Sequence, residues 1–381
     1  MGRTLPRAAA VLSCTVGLAA CATSTPSATA PAQRPGSSET FLASLHRAVP
    51  IASTVPANGD VNPYGVVVVP TTVGRLVAGS TLVSNFNDKA NVQGTGTTIV
   101  QVSPTGTVST FATIDSLPAS DPCPGGVGLT TGLAVLPGGW VVVGSLPAGP
   151  GGALPTENPA GCLIVLDSAG TPVETWTGAD INGPWDMTMS TTGSGAELFV
   201  SNVLSRPATD MTTPASGLCT VVRIDVTAAA GSPPTVTGST VIGRGYPWRA
   251  NKAAFIQGPT GLALADNGTL YVAETVGSNV TAIPEAATRS GAVTYGGNIV
   301  TSGGSLNGPL GMTTAPDGDL VAVNGNDGRA VEITPRGRQV TTVTLVAHGA
   351  GDLFGVTATA GGKGLLFVND GTNALDGATT G

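Results

Sequence analysis

Residues 258–274 read GPTGLALADNGTLYVAE, and this phrase decides the architecture of the chain. It opens with a turn, continues as a strand of small apolar residues, turns again at Asn-Gly and ends in a second apolar strand. The phrase returns as GPLGMTTAPDGDLVAVN from Gly308 and as GPWDMTMSTTGSGAELFVSN from Gly183. A supersecondary unit that recurs along a chain predicts a repeat fold.

Three weaker copies, at residues 63–85, 131–145 and 354–369, bring the number to six. The shorter spacings between copies suit four short antiparallel strands, the size of a propeller blade. A β-solenoid would need a period of roughly 20–30 residues, and two β-sandwiches would not repeat one phrase six times. The sequence therefore predicts an all-β, six-bladed β-propeller of four-stranded antiparallel blades over residues 41–381.

The last copy leaves too little chain for a complete blade. After residues 367–370 there is room for one more strand, around residues 372–379. An open edge strand would be a template for aggregation. We therefore expect the segment around residues 49–54 to supply the outer strand of the last blade and close the ring.

The composition limits the class of protein. The 381 residues include 55 Gly and 29 Pro, and only 10% are charged, which argues against long, self-solubilising helices. The 41% hydrophobic content argues against disorder. Because the net charge is −7 and only 3 of the 16 basic residues are Lys, a nucleic-acid partner is disfavoured. We expect a monomer.

The N-terminus resembles a bacterial lipoprotein signal. Arg3 and Arg7 precede a short apolar stretch, residues 8–20, which ends in Leu-Ala-Ala-Cys at Cys21. Such signals imply cleavage after residue 20, lipidation of Cys21 and a flexible tether over residues 21–40, rich in Thr, Ser, Pro and Ala. An ordinary signal peptide with a chance cysteine is the alternative. We expect the protein to be exported and anchored through Cys21 to the bacterial cell membrane or envelope.

Three cysteines remain in the exported part, an odd number for an oxidising compartment. Cys123 and Cys162 lie in neighbouring loop-like insertions, and we favour a disulfide between them. Cys219 stands next to a predicted strand and is expected to be a buried thiol.

The repeats resemble the NHL repeat, whose pattern opens with Gly-Pro-x-Gly and closes with an apolar-aromatic strand. Residues 258–274 match it closely, and residues 308–321 match it nearly as well. The chain also resembles the wider six-bladed propeller group that includes the gluconolactonase and strictosidine-synthase-like families. The resemblance implies the fold more strongly than any activity, because one fold hosts many chemistries.

Polar residues follow the predicted second strands and should meet at one end of the channel. The candidates for a ligand site at this channel mouth are Asn85, Asn202, Glu274, Asn324, Asn369 and Asp370. A ring of amides with carboxylates can hold a hard cation, water or a polyhydroxylated ligand. The same residue types also cap turns by bonding to nearby backbone groups, so both interpretations stay open.

The gluconolactonase resemblance adds a possible metal. That group binds a divalent ion with a Glu, two Asn and an Asp, and Glu274, Asn202, Asn324 and Asp370 offer these types for Ca²⁺ or Zn²⁺. The first blade departs from the group, because Pro63-Tyr64-Gly65 stands where the group's Glu falls.

Three functions fit the sequence. The first is a lipid-anchored propeller that binds a small ligand or a protein partner at its channel mouth, with no chemistry assigned. The second is a metal-dependent lactonase or ester hydrolase. The third is a structural or assembly scaffold that uses its loop insertions as contacts.

Overall fold

The computed structural model describes residues 40–120, 122–146, 149, 161–193, 195–204, 215–251, 254–295 and 298–380. The predicted signal peptide, Cys21 and the predicted tether up to residue 39 lie outside the described residues. So does most of the insertion at 205–217. In the described part of the chain, no helix is long and apolar enough to cross a membrane.

The described residues form six β-sheets, one for each copy of the repeat. The chain begins with β1 (Val49–Ser53). Blade 1 contains β2 (Val61–Val68), β3 (Thr81–Asn87), β4 (Thr98–Val102) and β5 (Val108–Thr113). Blade 2 contains β6 (Leu129–Leu136), β7 (Trp140–Ser145), β8 (Cys162–Leu166) and β9 (Pro172–Trp176). Blade 3 contains β10 (Pro184–Thr192), β11 (Gly195–Asn202), β12 (Ala215–Ala229), β13 (Ser232–Asn251) and β14 (Phe255–Gln257).

The remaining blades follow the same plan. Blade 4 contains β15 (Pro259–Leu264), β16 (Leu270–Glu274), β17 (Asn279–Ile283) and, after the short β18 (Val293–Thr294), β19 (Ile299–Ser302). Blade 5 contains β20 (Pro309–Thr314), β21 (Leu320–Asn324), β22 (Arg329–Ile333) and β23 (Gln339–Thr344). Blade 6 contains β24 (Leu353–Ala358), β25 (Gly364–Asn369) and β26 (Ala374–Thr379). The predicted all-β, six-bladed β-propeller is confirmed.

The hairpin between the first two strands of blade 4 shows how the sequence sets each turn. Gly268 has φ +79°, a conformation that favours glycine. The backbone N–H of Gly268 donates to Ala265 O at 2.9 Å, and Asn267 Oδ1 accepts from the N–H of Thr269 at 3.0 Å. This geometry turns the chain between β15 and β16 and accounts for the Asn-Gly pair in the repeated phrase.

The N-terminal segment closes the ring as expected. Strand β1 pairs antiparallel with β26 and becomes the outer strand of blade 6, in the order β1-β26-β25-β24. Just before it, a 3₁₀ helix at Leu42–Ser44 packs on blade 5, where the backbone N–H groups of Phe41 and Leu42 donate to the Glu332 carboxylate. Leu42 itself is only 1% exposed. The first described residues therefore join blades 5 and 6.

Blade 3 departs from the four-stranded plan. Its sheet has six strands, because β12 and β13 extend as a long hairpin, β14 pairs with the end of β13, and β18 pairs with β13 in parallel. Residues 244–251 and 255 thus form sheet structure. Tyr246 and Trp248 are 1% and 2% exposed, so this stretch packs over the blade.

A disulfide joins Cys123, in the loop before blade 2, to Cys162 at the start of β8, with the Cα atoms 5.5 Å apart. Cys219 lies in β12, is buried and takes no part in a disulfide.

Candidate functional site

The six candidate residues lie at or near the ends of the second strands, or directly after one, as the repeat predicts. Asn202, Glu274 and Asn324 end the second strands of blades 3, 4 and 5 and pair with the proline that opens the first strand. Asn85 pairs in the same way with Pro63, while Asn369 pairs with Leu353 and is followed by Asp370. The repeat thus determined their positions along each blade.

Two of the asparagines hold loops of their own blades. Asn202 Oδ1 accepts from the backbone N–H of Asn182 at 2.9 Å, and its Nδ2 donates to Asp180 O at 3.0 Å. Asn324 repeats this pattern in blade 5. Its Oδ1 accepts from the N–H of Asn307 at 3.0 Å, and its Nδ2 donates to Ser305 O at 2.8 Å. Both amides therefore fix the loop that enters the first strand, which is the capping role.

Glu274 is buried and its carboxylate is fully engaged. It accepts from the backbone N–H groups of Val276 and Gly277 at 2.8 and 2.9 Å, and from Asn279 Nδ2 at 3.2 Å and the Tyr295 hydroxyl at 3.0 Å. Burial raises the pKa of Glu274, and these four hydrogen bonds oppose the rise. The network organises the turn between β16 and β17.

Asn85 and Asn369 use their amide nitrogens within the structure. Asn85 Nδ2 donates to Thr54 O at 2.9 Å, and Asn369 Nδ2 donates to Asp376 Oδ2 at 3.0 Å. The Oδ1 atoms of both asparagines are buried without a hydrogen-bond partner. Asp370 is partly buried, and its pKa is raised to about 7 by burial and by the neighbouring Asp352.

These contacts test whether the candidate residues fit a divalent ion of the kind implied by the gluconolactonase resemblance. Asn202, Asn324 and Glu274 already direct their oxygen atoms at N–H and O–H donors of their own loops. These bonds give the three side chains roles in organising their own loops, and we derive no chemistry from a metal at this site.

An aromatic cluster fills the same end of the channel. Tyr64 stacks on Phe86 and Phe354 with ring centroids 4.6 and 4.5 Å apart, and it contacts Trp185 at 5.5 Å. Phe86 also contacts Phe255 at 5.6 Å. All five rings are at most 3% exposed. We call these five residues the aromatic plug, because they occupy the place where the sequence predicted an open, amide-lined mouth.

The open part of the channel lies beyond this plug. A cavity of about 270 Å³ is lined by the later halves of all six first strands, with Val66, Leu133, Met189, Leu262, Met312 and Val356 contributing one wall residue per blade. Thr188, Thr313 and Thr357 also line it and are partly exposed. Such a volume lies just below the range of roughly 300–1,000 Å³ for ligand sites, which favours a small ligand.

Asp186 is the one titratable side chain among the described residues that line this cavity. Its Oδ1 accepts from the backbone N–H of Met187 at 2.9 Å, and its Oδ2 accepts from the N–H of Leu262, in the next blade, at 3.2 Å. Burial raises the pKa of Asp186 to about 7, against the lowering effect of these two bonds. The carboxylate can therefore change its charge near neutral pH.

A separate acidic group lies on blade 5, where Asp317, Asp319 and Glu332 bring carboxylate oxygens within 4.8 Å of one another. Glu332 is buried and accepts both N–H groups of Phe41 and Leu42. Burial, Asp317 and Glu332 raise the pKa of Asp319 to about 6. Through its bonds to the N-terminal segment, Glu332 helps to close the ring.

Comparisons with known proteins support the fold. No family model matches the chain, and no curated protein matches it. A gluconolactonase from Xanthomonas campestris superposes with a TM-score of 0.53 at 16% identity, over 88% of this chain and 89% of that one. A luciferin-regenerating enzyme superposes with a TM-score of 0.51 at 12% identity, over 86% and 94%. The chain has the six-bladed propeller fold of gluconolactonase-like proteins.

Sequence reasoning placed Asp186 inside the third repeat without giving it a role. The indication was present in the repeats, because GPWD in blade 3 aligns with GPTG and GPLG in blades 4 and 5. The carboxylate stands where its neighbours have glycine.

Proposed function

We propose that this protein binds a small ligand in its central channel, at the end opposite the aromatic plug, and that a lipid on Cys21 anchors it outside the bacterial cytoplasm. The cavity lined by all six first strands carries the proposal. Ligand sites are typically concave and largely apolar with a few polar groups, and this cavity combines Val, Leu and Met walls with Thr188, Thr313 and Asp186.

Binding without catalysis suits this lining best. Acyl-transfer or hydrolytic chemistry uses a nucleophile beside a base, or a metal, together with donors for the developing charge. The described lining offers Asp186 with no His or Cys beside it. A lactonase of the gluconolactonase type would use the opposite end, where Asn202, Glu274 and Asn324 are bound to their own loops.

A neutral fluorescent probe tests binding in the channel. N-phenyl-1-naphthylamine brightens on entering an apolar site, and we expect saturable binding to the exported domain. Thr313→Phe, which fills the cavity from β20, should abolish this binding. Thr342→Phe, on the exposed outer strand β23 of the same blade, is the matched control and should leave it unchanged. Equal binding by both variants would place the probe elsewhere and reject the channel as the site.

The anchor has an independent test. In a bacterial host that processes lipoproteins, the full chain should incorporate labelled palmitate and partition into detergent. Cys21→Ser should remove both properties, and Cys14→Ser should keep them because residue 14 lies within the cleaved signal. Release of the wild-type chain as a protein without lipid would support the ordinary signal peptide instead.

A further inference from the structure

One position in the first strand is equivalent in all six blades. It immediately precedes the first-strand residue whose partner lies two positions before a polar residue near the end of the second strand, which is Asn85, Ser145, Asn202, Glu274, Asn324 or Asn369. Each first strand shifts register at or next to this point. Five blades have glycine here and blade 3 has aspartate: Gly65, Gly132, Asp186, Gly261, Gly311 and Gly355. We call these six residues the channel ring.

Close approach between neighbouring blades explains the glycines. A Cβ added to Gly261 would lie 2.5 Å from both Leu310 O and Met312 N of blade 5. A Cβ added to Gly65 would lie 2.6 Å from Ser84 Oγ and 2.9 Å from Thr131 O of blade 2. Packing at these positions therefore favours the smallest residue, and aspartate in blade 3 is the exception.

The exception places a carboxylate in the cavity, beside Val, Leu and Met side chains. Asp186 bonds to one backbone N–H through each oxygen, whereas a carboxylate has about four acceptor positions. The described residues lining the cavity include no basic side chain to neutralise it. Asp186 is partly exposed and has no counter-charge among the described lining residues, so the site is suited to receive a cation.

We propose that Asp186 binds the protonated amine of a small amphipathic ligand whose apolar part lies against Leu133, Met189 and Met312. This inference rests on the proposed function, because it names the ligand class for the same channel. The alternative is that Asp186 serves only to join blade 3 to blade 4 through the N–H of Leu262.

The charge of Asp186 makes the preference for amines depend on pH. With a pKa of about 7, the carboxylate is mostly protonated at pH 6 and mostly ionised at pH 8, while a primary amine near 10.4 stays charged at both. Among its neighbours, Ser201 Oγ accepts from the backbone N–H of Asp186 at 3.1 Å, Thr131 Oγ1 donates to the carbonyl of Trp185, and Leu262 donates its N–H to the carboxylate. Tyr64, in ring contact with Trp185, stays neutral because burial and Asp370 raise its pKa well above the usual value.

A matched pair of competitors tests the inference. 4-Phenylbutylamine and 4-phenylbutan-1-ol differ mainly in charge, and each is titrated against bound N-phenyl-1-naphthylamine at pH 8. For the wild-type protein we expect the amine to compete at least about 10-fold better than the alcohol, as for hydrogen bonds to charged groups. Lowering the pH to 6 reduces the ionised fraction of Asp186 about 10-fold, so the amine should lose most of its advantage while the alcohol is unchanged.

Asp186→Asn keeps an acceptor for the N–H of Leu262 and removes the charge, so the amine should lose its advantage while the probe still binds. Asp186→Gly, the residue of the other five blades, should do the same and guards against misfolding of the first variant. Equal competition by both compounds in the wild-type protein, or an amine preference that survives in either variant or at pH 6, would overturn the inference while leaving the channel site in place. Failure of the probe itself to bind would reject the proposed function and the inference together.

Discussion

Replacing Gly261 by alanine tests the tight packing of the channel ring. The added Cβ would lie 2.5 Å from two backbone atoms of blade 5, Leu310 O and Met312 N, so no flexible side chain can yield. Overpacking of this kind typically costs about 1–3 kcal/mol. Because both neighbours are backbone atoms of a strand, we expect a value near the upper limit, about 3 kcal/mol.

The magnitude can be converted into a melting temperature. The compact unit spans Glu39–Gly381, roughly 340 residues, for which an entropy of about 2.1 cal/mol/K per residue gives about 0.7 kcal/mol/K. A loss of about 3 kcal/mol therefore lowers Tm by about 4 °C. Differential scanning calorimetry of residues 39–381 resolves such a shift.

Gly291→Ala is the matched control. Gly291 has open space around its position and does not have a positive φ, so alanine there should shift Tm by less than about 1 °C. If Gly261→Ala melts within 1 °C of Gly291→Ala, the first strands do not approach as closely as described. The explanation of the ring glycines, and of Asp186 as their exception, would then fail.

Three further predictions concern closure, pH and the disulfide. Leu42→Ala should lower the free energy of unfolding by about 2–5 kcal/mol, because this side chain of the N-terminal segment is only 1% exposed and packs on blade 5. Val55→Ala is the control: at 39% exposure it should cost under about 0.5 kcal/mol in the same denaturant titration. The pKa of Asp370 is about 7 in the folded state and near 4 in the unfolded state, so the folded state binds more protons between these values. The contribution of Asp370 to stability is therefore present at low pH and is lost as the pH rises through 7. Unfolding free energies measured from pH 5 to 8 should therefore fall less steeply in Asp370→Asn, and an unchanged slope would contradict the assignment. The Cys123–Cys162 disulfide joins residues 39 apart in the sequence, and replacing both cysteines by serine should lower the free energy of unfolding by up to about 4 kcal/mol. Reducing the wild-type protein should lower it by the same amount, and disagreement between the two measurements would contradict the prediction.

The repeated phrase predicted the fold because its features are local. The Asn-Gly pair at 267–268 fixes a turn, and alternating small apolar residues fix the strands on either side of it. Six copies then imply six blades, and the missing last strand implies closure by the N-terminal segment, which β1 supplies. The positions of Asn202 and Asn324 at one sheet edge follow from the same periodicity.

The use of those side chains depended on contacts between segments distant in the sequence. Asn202 bonds to a loop 20 residues earlier, which distinguishes capping from ligand binding only after folding. Tyr64, Trp185 and Phe354 come from three different blades, and no local pattern predicts that their rings meet and fill one end of the channel.

The sequence by itself determined the fold and the positions of the blade edges, since these depend on turn residues and strand patterns that act over short distances. Only the tertiary structure decided which end of the channel is open. The ring brings six first strands, separated by up to 290 residues between Gly65 and Gly355, close enough that the size of a single residue in each matters. At that spacing glycine permits close contact, aromatic rings fill one end of the channel, and one aspartate places a carboxylate in the cavity beyond them.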